Sequence, residues 1–142
     1  MKNFYLFFAL VLSFGISFGQ VKHPKTKQEI ISICDKFMDT FQKGKYSEAF
    51  DLMKPYTVIE DYKLDTLATT AKAQMISVNK VYGKTLGFEL VSEKAASPSL
   101  LKVVYMLKFE QSVLKFRFIL YNNEIGWTII KFKYDADIDD LF

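Results

Sequence analysis

The sequence predicts an α+β fold in which N-terminal helices pack on one face of a four-stranded antiparallel sheet, and three observations predict it. Leu100 to Glu110, Leu114 to Tyr121 and Trp127 to Tyr134 are consecutive runs rich in β-branched and aromatic residues. The connections between them are short enough for hairpins. Ahead of them, apolar residues recur at helical spacing, so helices come first and strands after.

The first helix is expected from Lys27 to Lys43. Thr26 followed by Glu29 makes a capping box, Gly44 supplies the stop, and Ile30, Ile33, Cys34, Phe37, Met38 and Phe41 form one apolar stripe. A short helix follows from Ser47 to about Met53, ended by Pro55. Tyr56 to Leu64 reads as irregular. Asp65 then caps a third helix, Thr66 to Val81, whose Leu67, Ala71, Met75, Val78 and Tyr82 share a face before Gly83 ends it. The first strand is expected from Lys84 to Glu93, with Leu86, Phe88 and Leu90 on one face and a break at Ala95 to Ser99.

Strand side chains alternate between faces, so a register assigns each one. With Glu110 to Val113 as a turn, Phe109, Leu107, Tyr105 and Val103 oppose Leu114, Phe116, Phe118 and Leu120. Carried across the polar turn Asn122 to Gly126, Leu120, Phe118, Phe116 and Leu114 oppose Thr128, Ile130, Phe132 and Tyr134. One face is thus almost continuously apolar and is expected against the helices. The other mixes apolar Val104, Met106, Ile119, Tyr121, Trp127 and Ile129 with cationic Lys102, Lys108, Lys115, Arg117 and Lys131. A one-residue slip would exchange the two sets. The tail from Asp135 to Asp140 is acidic and is expected to leave the sheet, with Leu141 and Phe142 docking back.

The chain has 142 residues, of which 1–19 read as a signal peptide. Met1 to Asn3 carries one positive charge, Phe4 to Ile16 is an apolar core short for a membrane span, and Ser17 and Gly19 are the small residues a signal peptidase requires. Cleavage before Gln20 is expected, with the protein periplasmic or secreted. No cysteine follows the apolar core, which speaks against a lipid anchor. Residues 20–26 read as an extended, mobile lead containing His23, the only histidine, and 27–142 as one domain. Without Lys2 the formal charge of +3 falls to +2, too balanced for a nucleic-acid partner, and Arg117 is the sole arginine. Cys34 is the sole cysteine, so no intramolecular disulfide holds the fold, and its place on the apolar stripe reads as a buried, inert thiol.

The order of elements, with Phe37, the segment Phe41-Gln42-Lys43-Gly44-Lys45-Tyr46, Ala49-Phe50, Tyr82-Gly83-Lys84 at the entry to the sheet and Trp127 on the last strand, resembles the NTF2-like (cystatin-like α+β) superfamily, in particular its small exported bacterial members. The resemblance spans about Lys27 to Tyr134. It implies a curved sheet wrapped round its helices as a cone, able to leave a pocket, and an outer sheet face that pairs two subunits. Catalytic members place an aspartate, or an aspartate with histidine, in the cone as general base.

No Asp, Glu or His falls on the expected inner face, so an acid/base enzyme of lyase or isomerase type would have to draw a carboxylate from Glu60, Asp61 or Asp65 at the cone mouth. The sequence therefore reads as a non-catalytic binding domain, for a small apolar ligand or a protein partner. Tyr82, Tyr105, Thr128 and Tyr134, the polar tips in an apolar wall, are the candidate ligand-binding residues. The competing expectation is a cone filled by its own aromatic rings. Val104, Met106, Ile119, Tyr121, Trp127 and Ile129 are the candidate interface of a homodimer, which could also be the protein's purely structural role. Nothing in the sequence implies a metal or a cofactor: it carries no metal-ligand cluster, phosphate loop or nucleophile with a partner base.

Overall fold

The computed structural model describes residues 21–142. The expected signal peptide and its cleavage point lie outside the described residues. The fold is α+β: three helices, α1 (Lys27–Gln42), α2 (Tyr46–Met53) and α3 (Asp61–Tyr82), pack against four antiparallel strands, β1 (Thr85–Ser97), β2 (Leu100–Phe109), β3 (Val113–Asn122) and β4 (Trp127–Asp135). The strands form a simple meander in chain order with β1 and β4 as its outer strands, and the sheet does not close into a barrel.

The α1 cap forms as its sequence dictates, Thr26 Oγ1 accepting from the Glu29 N–H at 3.1 Å. The third helix starts a full turn before the expected Asp65, with Glu60 at its N-cap. Leu64 explains the difference: it precedes Ala68, Ala71 and Met75 at helical spacing, and all four are buried. Asp65 lies inside the helix and accepts from Lys54 Nζ at 2.6 Å.

The lead is docked, where mobility was expected. The Lys22 N–H donates to Pro55 O at 2.7 Å, the Trp127 N–H donates to Pro24 O at 2.8 Å, and Lys25 Nζ donates to Ile125 O at 2.6 Å. Gly126 permits this approach, since a Cβ there would strike the carbonyl oxygens of His23 and Pro24.

Between β2 and β3 the pairs slide by two residues from the expected register: Leu101, Val103, Tyr105 and Leu107 oppose Leu120, Phe118, Phe116 and Leu114. An even slide preserves every face. The turn closes two residues earlier than expected, Phe109 meeting Ser112 where Leu114 was expected, its N–H donating to Ser112 O at 2.9 Å.

Between β3 and β4 the outcome differs. Ile119 opposes Lys131 while the next residue, Leu120, opposes Ile129, so Ile130 is an extra residue in a β-bulge. On the turn side of the bulge the faces are exchanged relative to the expected register. Trp127 and Ile129, expected on the outer face, lie in the helix-facing core at 6% and 0% exposure. Thr128, expected in the apolar wall, pairs with outward-facing Tyr121. Beyond the bulge, Phe132 and Tyr134 face inward opposite Phe118 and Phe116.

The edge strand β1 runs to Ser97, four residues past its expected end, and carries register shifts at Leu86, Val91 and Ala96. Leu86, expected on the inner face, is turned out at 63% exposure, while Phe88 packs against the core. Three irregularities in one edge strand blunt its capacity to pair with another chain.

The core lies between α1, α2, the inner sheet face and the buried side of α3. Phe37 is its hub, with the rings of Phe41, Phe50, Phe116, Phe118 and Phe132 all within 6.5 Å centroid to centroid. Contacts among these rings are mostly edge-to-face or tilted, the arrangement that aromatic quadrupoles favour.

Candidate functional site

The helix-facing side of the sheet is occupied by the protein's own rings, and the four residues expected to line a pocket there are not brought together. Tyr105 is fully buried and donates to Asp35 Oδ1 at 2.5 Å. Burial, followed by that hydrogen bond, pushes its hydroxyl pKa well above the ordinary tyrosine value. Tyr134 stacks on Phe116 at 5.2 Å and donates to Gln74. Tyr82 packs edge-on against Phe109 at 5.9 Å. Thr128 Oγ1 donates to Tyr56 O at 3.1 Å. Tyr105, Tyr134 and Thr128 thus direct their hydroxyls to internal partners.

Asp35 was not legible in the sequence as a partner of the sheet, because it stands on α1 and not at an inward strand position. The available signal was its spacing of four from buried Ile31, which puts it on the flank of the α1 stripe. With Tyr105 inaccessible and Asp35 half-buried, the pair is a partly buried hydrogen bond joining α1 to β2. Two of the three mouth carboxylates named from sequence lie in ion pairs, Asp65 with Lys54 and Glu60 with Lys63. Cys34 is fully buried, and burial raises its thiol pKa, so it stays protonated and inert.

The outer sheet face is divided. One half is strapped by the acidic tail: Lys115, 4% exposed, holds Asp140 at 2.6 Å and Asp135 at 3.7 Å. The hydrogen bond to Asp140 raises the Lys115 pKa, and the same bond lowers that of Asp140. The tail makes a single 3₁₀ turn, Asp139–Leu141, leaving Leu141 half-buried and Phe142 fully exposed, where both were expected to dock.

The other half carries a groove of about 620 Å³ lined by Ile59, Lys102, Arg117, Ile119, Ile130, Lys131, Phe132 and Lys133. The registers build it. Lys102 and Lys131 flank Ile119 in one cross-strand row, and Arg117 and Lys133 lie side by side in the next. The bulge turns Ile130 into the same groove. The Tyr56–Ile59 segment closes the β4 edge, Thr57 Oγ1 donating to Ile129 O at 2.7 Å and the Val58 N–H to the same oxygen at 3.2 Å. Among the described residues, Lys102, Arg117 and Lys131 lie in no ion pair, while Lys133 reaches Asp135 at 3.6 Å. The cations of this face were legible in the sequence. Ile59 and Ile130 as part of the same surface were not, since a bulge between Ile129 and Lys131 has no glycine to mark it.

Of the six residues expected at a dimer interface, Trp127 and Ile129 are in the core and Val104 is 4% exposed. Met106 and Ile119 are half-buried and Tyr121 is exposed. The contiguous apolar patch on which that expectation rested is therefore broken.

No helix among the described residues is long and apolar enough to cross a membrane. Compared with family models, curated proteins and solved structures, the chain matches none of them.

Proposed function

We propose that this chain is an exported, non-catalytic binding domain of NTF2-like type that takes a small apolar ligand on the outer face of its sheet. The observation that carries this reading is the contrast between the two faces. The inner face is filled with interlocking rings around Phe37, whereas the outer face carries a groove of about 620 Å³, within the range of roughly 300 to 1,000 Å³ usual for small-molecule sites. Ile119 and Ile130 supply the apolar floor. Export rests on the composition of residues 1–19, and the mass of processed protein, starting at Gln20, checks it.

Titration with the uncharged dye N-phenylnaphthylamine tests the location. The wild type should enhance its emission, Ile119→Lys should weaken binding at least about tenfold, and Tyr105→Phe and Tyr134→Phe should leave it unchanged. Binding lost in the tyrosine variants but kept in Ile119→Lys would return the ligand to the cone. No binding by the wild type would end the reading.

A further inference from the structure

We infer that the ligand of the outer groove is a free, single-chain amphiphilic anion, a long-chain carboxylate, with its head at Arg117 and its chain laid over Ile119; the inference rests on the groove being the binding site. Charge is the first argument. Like charges close across a sheet destabilise it, yet Lys102 and Lys131 flank Ile119 and Arg117 lies one row away, with no acidic partner within 4 Å among the described residues. The fold relieves such repulsion elsewhere on the same face, where Lys115 is held by both Asp140 and Asp135. Arg117 feels the Asp140 carboxylate only beyond ion-pair distance, so the groove cations keep their donors for an outside anion. Arg117 suits a carboxylate head, because its planar fork can donate two parallel hydrogen bonds.

Shape is the second argument. A smaller hollow of about 250 Å³ adjoins the groove, sharing Ile119 and Lys102 and walled by Leu100, Leu101, Ala96 and Lys94. From Arg117 the path runs past Ile119 to Leu100, an apolar track whose sides the methylene stems of Lys94 and Lys102 can cover. An inorganic anion would leave that track wet. A nucleic acid would find Ile119 and Ile130 where stacking aromatics are needed, since the ring of Phe132, which borders the groove, packs inward against Phe37. A bilayer surface asks for cations spread outward, whereas these surround a concave floor.

Calorimetric titration of the protein with decanoate and with decanol, each below its aggregation threshold, tests the inference. Decanoate should bind at least about tenfold more tightly than decanol. Its affinity should fall with added salt. Arg117→Gln should remove most of the advantage without weakening decanol binding or changing the unfolding curve. Equal affinity for the two would overturn the anionic class while leaving the groove as an apolar site. Failure of both to bind would overturn the groove along with the class. Cosedimentation with phosphatidylglycerol vesicles, without decanoate binding, would overturn the free amphiphile in favour of a membrane surface.

Discussion

The two hairpins of β3 respond differently to the same alternation rule. Toward β2 the strands slide by two residues from the pairing that alternation and turn length imply, and every side chain keeps its face. Toward β4 a single extra residue, Ile130, exchanges the faces of the three residues nearest the turn. Parity is therefore protected against even slips and defenceless against a bulge. The cause lies outside the strand. The β4 segment beside the turn is engaged from its edge by Thr57 and Val58 and from the lead by Pro24, and turning Trp127 and Ile129 into the core buries more apolar area there than turning in Thr128 and Ile130 would.

The largest expected effect falls where the two registers disagree. Trp127 on an exposed outer face would tolerate a charge, but in the core Trp127→Glu places a carboxylate among apolar neighbours. Loss of about 5 kcal/mol or more is expected, comparable with the whole stability of a marginal domain. Circular dichroism should show an unfolded or barely folded chain. A variant that retains a cooperative transition near that of the wild type would restore the unbulged register.

Where the registers agree, the effect should be large but smaller. Phe118 is fully buried, opposite Val103 and Phe132, with Phe37 at 5.5 Å and Tyr105 at 5.8 Å. Phe118→Ala should cost about 3 to 5 kcal/mol. Urea titration followed by the fluorescence of the single tryptophan, Trp127, reads it directly. A loss below about 1 kcal/mol would mean the inner face is not the packed one.

The fold class was legible because the apolar stripes of α1 and the two long runs of β2 and β3 depend on periodicity alone, and periodicity survives small boundary errors. Helix α3 lost its first turn in the reading because Asp61 and Tyr62 masked the period that Leu64 begins. Of the groove, the cations of β2 and β3 were legible on one face. Its floor was not, because Ile59 arrives from a segment distant in sequence and Ile130 is positioned by tertiary contacts that no local pattern records. Asp35 was not legible for a different reason: it stands on a helix flank, and no local pattern ties that flank to a hydroxyl on β2, 70 residues away.

The smallest expected effect also separates the registers, through Lys115. Without the bulge Lys115 would face Lys133, a repulsive pair; with it Lys115 faces Asp135, and the tail adds Asp140 at 2.6 Å. The hydrogen bond from Lys115 lowers the folded-state pKa of Asp140 below its ordinary 3.8, so the pair stabilises the fold above that value. That contribution drains away as the pH falls through the lower, folded value. Lys115 is raised above its ordinary 10.5 by the same bond, so the pair persists through the neutral range and is lost only as the pH rises past the raised value. Asp140→Asn should therefore lower the melting temperature by a few degrees at most at neutral pH, since the tail carboxylate is exposed and screened. The wild-type and variant melting curves should converge only as the pH falls below the lowered folded-state value of Asp140, where both side chains are uncharged at this position. A difference that stays constant into acid would assign the effect to the 3₁₀ turn itself, and with it the tail would cease to be an electrostatic strap on the bulged sheet.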